Sequence, residues 1–200
     1  MFNYVPKSVD QRLKVLSIRP YASRKYANDL SVAAVLDLRD EDYFDQLTFH
    51  FVGDGPLFEE ILEPIKDLPN VQIERRFLSH REIAEYHKKY GVLLTPTRMD
   101  AQGVSRDEGM SSGLVPLTTS VAAVPEFVDE ESGFLAPLDS YRELADGIRL
   151  LYKDPDLFKR MSKSATERVA RQTAKVIVIE QEMSLITGAR REFSNDGASL

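Results

Sequence analysis

Short apolar runs alternate with longer amphipathic segments through the first 140 residues, and this alternation constrains the fold more than any other feature. KVLSI (14–18), LTFHFV (47–52), VQIE (71–74), GVLLTP (91–96), LVPLTT (114–119) and GFLAP (133–137) read as strands. Between them, ANDLSVAAVLDL (27–38), PLFEEILEPIK (56–66), SHREIAEYHKKY (79–90) and SRDEGMSS (105–112) carry helical spacing. Pro64 ends or bends the second of these, and Ser79 with Glu82 three residues later has the spacing of a capping box. Repeated strand–helix units of this length predict an α/β, doubly wound, Rossmann-like parallel sheet covered by helices on both faces.

The last third is helical. SYRELADGIRLLYK (140–153) has Leu144, Ile148 and Leu151 on one side, and after Asp154-Pro155 a second helix repeats Leu157, Met161, Ala165 and Val169 every fourth residue. KVIVIEQEMSLI (175–186) is more apolar than one buried face requires, through Val176, Ile177, Val178 and Ile179. It reads equally as a terminal helix on its own sheet or as one that docks on a partner. The expected organisation is a linker remnant at 1–13, one domain at 14–187 and a flexible tail at 188–200.

A net charge of −6 argues against nucleic acid as a partner, because phosphate neutralisation needs a basic surface. Cysteine is absent, which excludes disulfide and thiol chemistry. The first residues lack a signal-peptide pattern and no apolar run approaches the length of a membrane span, so a cytoplasmic location is expected. His50, His80 and His87 fit no metal spacing, and His50, inside a strand, reads as a structural histidine.

In open parallel sheets ligands bind beyond the carboxyl ends of the strands, so the informative residues are those just after them. RPYASRK (19–25) places Arg19, Arg24 and Lys25 in the first such loop. It reads either as a solvated basic loop or as compact positive charge for a diphosphate. GDGP (53–56) lacks the third glycine of a dinucleotide fingerprint; Gly53 and Gly55 read as a structural turn. In QGVS (102–105), Gly103 allows close backbone approach and Ser105 is able to cap the helix that follows, whose free amides suit a phosphate. The plain reading of Asp107 and Glu108, in its first turn, is as partners for the helix dipole. Asp100 before the loop and Glu108 after it add two acceptor-only groups, which suit a hydroxyl-rich ligand.

In this order, VLSIRPYASRK, FHFVGDGP, GVLLTPT, DAQGVSRDEGMSSGLVP and VPEFVDEESGFLAP resemble the C-terminal, donor-binding domain of the family 4 retaining glycosyltransferases, which have the two-domain GT-B fold. The resemblance covers roughly residues 14–170. It implies that Arg19 and Lys25 contact the diphosphate of a nucleotide sugar, that Gly103, Val104 and Ser105 supply backbone amides beside it, and that Glu108 accepts from the ribose. Asp100 stands where the family has the first of two glutamates with seven residues between them and would face the donor sugar, one methylene shorter. The glycines flanking the family's basic loop are Ile18 and Tyr26 here.

The implied activity is transfer of a hexose from a nucleoside diphosphate sugar, UDP-linked by preference or GDP-linked, to an acceptor hydroxyl with retention. Arg19, Lys25, Asp100 and Glu108 are the implied catalytic set, with no cofactor. No Asp-x-Asp is present at the matching positions, so metal independence is expected. The implied setting is surface polysaccharide synthesis, O-antigen, lipopolysaccharide or capsule, on a saccharide or lipid-linked acceptor and peripheral to the inner membrane. Strand signals before residue 14 are too few for an acceptor-binding domain, so that half is expected to be missing from this chain and turnover by the chain alone is not expected. A nucleotide-sugar epimerase of the same fold and a non-catalytic binding or scaffolding subunit are the competing readings.

Overall fold

The apolar runs form the six strands the alternation predicts. The computed structural model describes residues 2–100, 102–173, 179 and 182–187. Strands β1 (Lys14–Ile18), β2 (Thr48–Gly53), β3 (Val71–Arg75), β4 (Val92–Leu94), β5 (Val115–Thr119) and β6 (Phe134–Ala136) pair in parallel in the order β3-β2-β1-β4-β5-β6. The chain leaves β1 toward β2 and β3 on one side, then crosses back to place β4 on the other. That reversal opens a crevice above the carboxyl ends of β1 and β4.

Alternate residues of each strand face opposite layers. Val15, Val92, Leu94, Val115 and Leu117 join a buried cluster with α1 (Asn28–Leu38), α2 (Phe58–Leu62) and α6 (Arg142–Lys153). Leu16 and Leu93 pack instead with Tyr90 at the end of α3 (His80–Lys89). Met110 of α4 (Val104–Ser111) meets Val128, just after α5 (Val124–Phe127), and Ala165 and Val169 of α7 (Pro155–Thr173). The four-residue stripe expected after Pro155 is thus a core face.

Local signals decide several element ends. Ser79 and Glu82 form the expected reciprocal cap of α3, and α2 gives way at Glu63–Ile65, around Pro64, to a 3-10 turn. His50 is a structural histidine, its Nδ1 2.6 Å from the Tyr90 hydroxyl and its Nε2 2.9 Å from Glu74 Oε1. Burial pushes its imidazolium pKa down, against the pull of Glu74. The helix expected at 175–186 falls mostly outside the described residues, including Val176, Ile177 and Val178, as does the tail at 188–200; residues 182–187 are helical and exposed. The expected linker, 1–13, ends in a 3-10 turn at Val9–Leu13, and Lys7 before it donates to the His87 carbonyl.

Ala27 is the residue before α1 and sits at φ 51, in the left-handed region. A Cβ there costs roughly 1–2 kcal/mol, partly offset by the greater freedom of glycine in the unfolded chain. Ala27→Gly is therefore expected to raise stability by about 0.5–1 kcal/mol. Urea unfolding measures it, and a loss of stability would contradict the assignment.

Candidate functional site

Two loops meet over the crevice. The residues after β1 turn back along the end of β2, held by Arg19 N–H to the Val52 carbonyl at 3.0 Å and Tyr21 N–H to the Asp54 carbonyl at 2.9 Å. This contact explains the glycines of GDGP. A Cβ on Gly53 would lie 1.9 Å from the Arg19 carbonyl oxygen, and one on Gly55 would lie 2.3 Å from the Tyr21 carbonyl carbon. Gly53 and Gly55 thus make the turn the sequence predicts, and they also let the basic loop lie against β2.

The loop is not uniformly solvated, as its plainer reading would have it. Arg19 is 6% exposed, whereas Arg24 and Lys25 are exposed. Arg24 pairs with Glu60 at 2.5 Å. Arg19 Nη2 donates to the Pro96 carbonyl at 3.2 Å and to the Tyr26 carbonyl at 3.5 Å, while its buried Nε has no hydrogen-bond partner among the described residues. Burial pushes the Arg19 guanidinium pKa down, and the Asp100 carboxylate opposes that shift. The Tyr26 ring serves both cations, lying 5.3 Å from the Arg19 guanidinium and 5.0 Å from Lys25 Nζ.

The second loop leads from β4 into α4. Sequence reasoning puts the helix cap at Ser105; the structure puts it at Gly103, with Val104 as the first helical residue. The Gly103 carbonyl already accepts from the amides of Arg106 at 2.9 Å and Asp107 at 3.1 Å. Its φ of 81 is the left-handed turn that glycine adopts without strain. Among the described residues, the amides of Gly103, Val104 and Ser105 donate to no protein acceptor. They open a helix of eight residues, at the end where its dipole favours an anion.

These walls enclose a cavity of about 390 Å³. Its lining combines the polar Arg19, Tyr26, Arg76, Asp100 and residues 103–105 with the apolar Ile18, Phe77, Leu78 and Ile83. Phe77 is 71% exposed at the rim. The structure therefore brings Arg19, Asp100, Gly103, Val104 and Ser105 to one cavity. Lys25 lies beside it, reaching it through Tyr26. Glu108, one turn further along α4, lines an adjoining cavity with Phe2, Gln102 and Ser111; Val104 lies between the two. Burial pushes the Glu108 carboxyl pKa up, and His80, with Nε2 at 4.0 Å, works against that.

Sequence reasoning missed Arg106 as a builder of the site and read Asp107 only as a dipole partner. Both are buried, and Arg106 Nη2 lies 2.8 Å from Asp107 Oδ1. Burial pushes the Asp107 carboxyl pKa up and the Arg106 charge opposes it. Arg106 also donates to the Gln102 carbonyl and lies 5.3 Å from the Phe127 ring centroid, so it fixes the Gly103 turn from beneath. Adjacent opposite charges in a first turn are common on surfaces, and nothing in their spacing marks them as buried.

The family model for glycosyl transferases group 1 matches residues 14–154. The chain belongs to that family. Its sequence is 28% identical over 148 residues to N-acetyl-alpha-D-glucosaminyl L-malate synthase of Bacillus anthracis, a match covering 72% of this chain and 38% of that protein. An uncharacterized glycosyltransferase from Methanocaldococcus jannaschii is 25% identical over 142 residues, 70% of this chain and again 38% of the relative. The chain thus spans well under half the length of these curated relatives. Among solved structures, the C-terminal domain of a group 1 glycosyl transferase from Francisella tularensis superposes with a TM-score of 0.72 at 16% identity, over 88% of this chain and 96% of that domain. HepE from Anabaena, solved with UDP and glucose, superposes with a TM-score of 0.71 at 15% identity, over 94% of this chain and 54% of its own. The fold of this group 1 chain is the Rossmann-like half of a GT-B architecture.

Proposed function

We propose that this chain is the donor-binding half of a retaining glycosyltransferase that moves a hexose from a nucleoside diphosphate sugar to an acceptor hydroxyl. The observation that carries the reading is that a buried arginine, its Nε without a partner among the described residues, lines the same cavity as residues 103–105 with their free amides. Both groups are preorganised donors for an anion, and neither has another partner to give up. The apolar lining residues Ile18, Phe77, Leu78 and Ile83 suit a nucleobase. A nucleoside diphosphate likewise joins an apolar base to an anionic diphosphate.

As the bond between the anomeric carbon and the β-phosphate oxygen breaks, negative charge builds on the diphosphate. Arg19, Lys25 and the α4 amides would stabilise it. The acceptor oxygen bonds to the same anomeric carbon, and its proton leaves with the phosphate. Asp100, in the cavity lining, would accept from a hydroxyl of the donor sugar, and Glu108 from the ribose, reached past Val104. Supporting a UDP-linked donor, HepE and the pneumococcal O-GlcNAc transferase, both of this fold, were solved with UDP. Metal independence and surface polysaccharide synthesis remain part of the proposal, as does a separate acceptor-binding domain to complete the cleft.

Calorimetric titration with UDP and GDP tests it. Saturable binding of one of them, weakened at least tenfold in Glu108→Ala, is expected. Binding of neither, by this chain and by a full-length protein containing it, would overturn the donor reading in favour of a scaffolding role.

A further inference from the structure

The two loops that bring the cradle together are tied by a side chain that lines neither cavity. Arg98 sits between Thr97 and Met99 in the loop after β4, two residues before Asp100. Its backbone N–H donates to the Lys25 carbonyl at 2.8 Å, where the Thr97 hydroxyl also donates at 3.2 Å. Its guanidinium turns toward the loop after β1. Nη1 reaches the Arg24 carbonyl at 2.8 Å, and Nη1 and Nη2 grip the two oxygens of Asp29, at the start of α1, at 2.8 Å each. Nε reaches a third loop, donating to Asp139 Oδ1 at 2.6 Å. Asp139 lies between β6 and α6 at φ 59.

One guanidinium therefore joins the loops after β1, β4 and β6 on the carboxyl edge of the sheet. The forked pairing with Asp29 fixes the plane of the group, which a single contact would not. Burial works to raise the Asp29 carboxyl pKa, but the Arg98 hydrogen bonds and charge outweigh it and hold the carboxyl below its usual range. Arg24, 3.9 Å from Asp29, is the other cation nearby. Lys25 has no comparable anchor of its own. It is exposed; the Tyr26 ring lies beside its ammonium, and its carbonyl is held by Arg98 and Thr97.

We infer that Arg98 is a positioning residue that fixes the Arg19–Lys25 loop against the Asp100 loop, and so sets the distance between the cations and the α4 amides. Its consequence for ligand affinity rests on the donor reading above; the placement of the loops does not.

The test compares Arg98→Lys with the unaltered chain by hydrogen exchange and by UDP and GDP calorimetry. Lysine keeps the charge and most of the stem, but an ammonium cannot pair with both oxygens of Asp29 while reaching Asp139. Exchange at the amides of Tyr26, Ala27 and Arg98 is expected to quicken at least tenfold, with β2 and α6 unchanged and the melting temperature nearly so. Affinity for the nucleotide that the unaltered chain binds should fall about tenfold. Asp29→Asn, which keeps one acceptor oxygen, should show a smaller form of both effects, and combining it with Arg98→Lys should add little. Unchanged loop exchange in Arg98→Lys overturns the inference, as does loosened exchange with unchanged affinity. If neither the unaltered chain nor a full-length protein containing it binds a nucleotide, the donor reading falls, and loop exchange alone still decides the role of Arg98.

Discussion

Arg19→Ala is expected to abolish nucleoside diphosphate binding, weakening it by at least about a hundredfold, while leaving the fold intact. The guanidinium is almost wholly buried and its Nε is unpaired, so the cost of desolvating it is already met in the free protein. A diphosphate then gains charge-assisted hydrogen bonds worth roughly 1.5–3 kcal/mol each. Two such bonds correspond to at least about a hundredfold in affinity. Removing the side chain leaves only the Pro96 and Tyr26 carbonyls without this donor, and it also removes a buried charge whose solvation is poor. The melting temperature should therefore change little. Arg24→Ala is the control, because Arg24 carries the same charge in the same loop but is exposed and paired with Glu60. It should alter affinity less than about twofold, as screened surface charges do. Calorimetry on both variants measures the contrast, and equal losses would mean that net loop charge, not the buried Arg19, holds the ligand.

Gly53→Ala should be the more damaging change, although it adds a single methyl. That carbon would sit 1.9 Å from the Arg19 carbonyl oxygen and 2.8 Å from the Tyr21 ring. The nearest atom is backbone, so no rotamer change relieves the clash. The loop must lift from β2, which sacrifices the Arg19-to-Val52 and Tyr21-to-Asp54 hydrogen bonds and disturbs the packing of the fully buried Tyr21 ring against Phe58. Overpacking costs about 1–3 kcal/mol and the two broken bonds about 1 each, for a total of about 3–5 kcal/mol. In a domain of this size that lowers the melting temperature by about 6–20 °C. Because the lifted loop carries Arg19, nucleotide affinity should fall with stability. Urea and thermal unfolding would show it, and a variant as stable as the original would mean that the loop lies off β2 in solution.

The strands, their parallel pairing and the helices on two faces were readable from apolar spacing, since the two periods, of two residues and of about four, report backbone geometry directly. The Ser79 cap and the break at Pro64 were equally local. The cradle was readable in part. Placing ligand residues after strands singled out Arg19, Asp100 and residues 103–105, which do share a cavity. The cap at Gly103 in place of Ser105 was not readable, because a serine before a helical run is a common signal and the left-handed turn that displaced it depends on Arg106 packed beneath.

The sequence by itself determined which segments are strands and helices and which loops carry charge. Only the tertiary structure decided which of those charges are buried. Arg19 and Arg24 are chemically alike and five residues apart, yet one is enclosed and the other solvated. The difference arises because β1 lies between β2 and β4, so the loop leaving it is covered from both sides. Arg98 could not be recognised from its neighbours for the same reason. Its partners, Asp29 and Asp139, lie 69 and 41 residues away in sequence and become adjacent only when strand order sets three loop ends side by side.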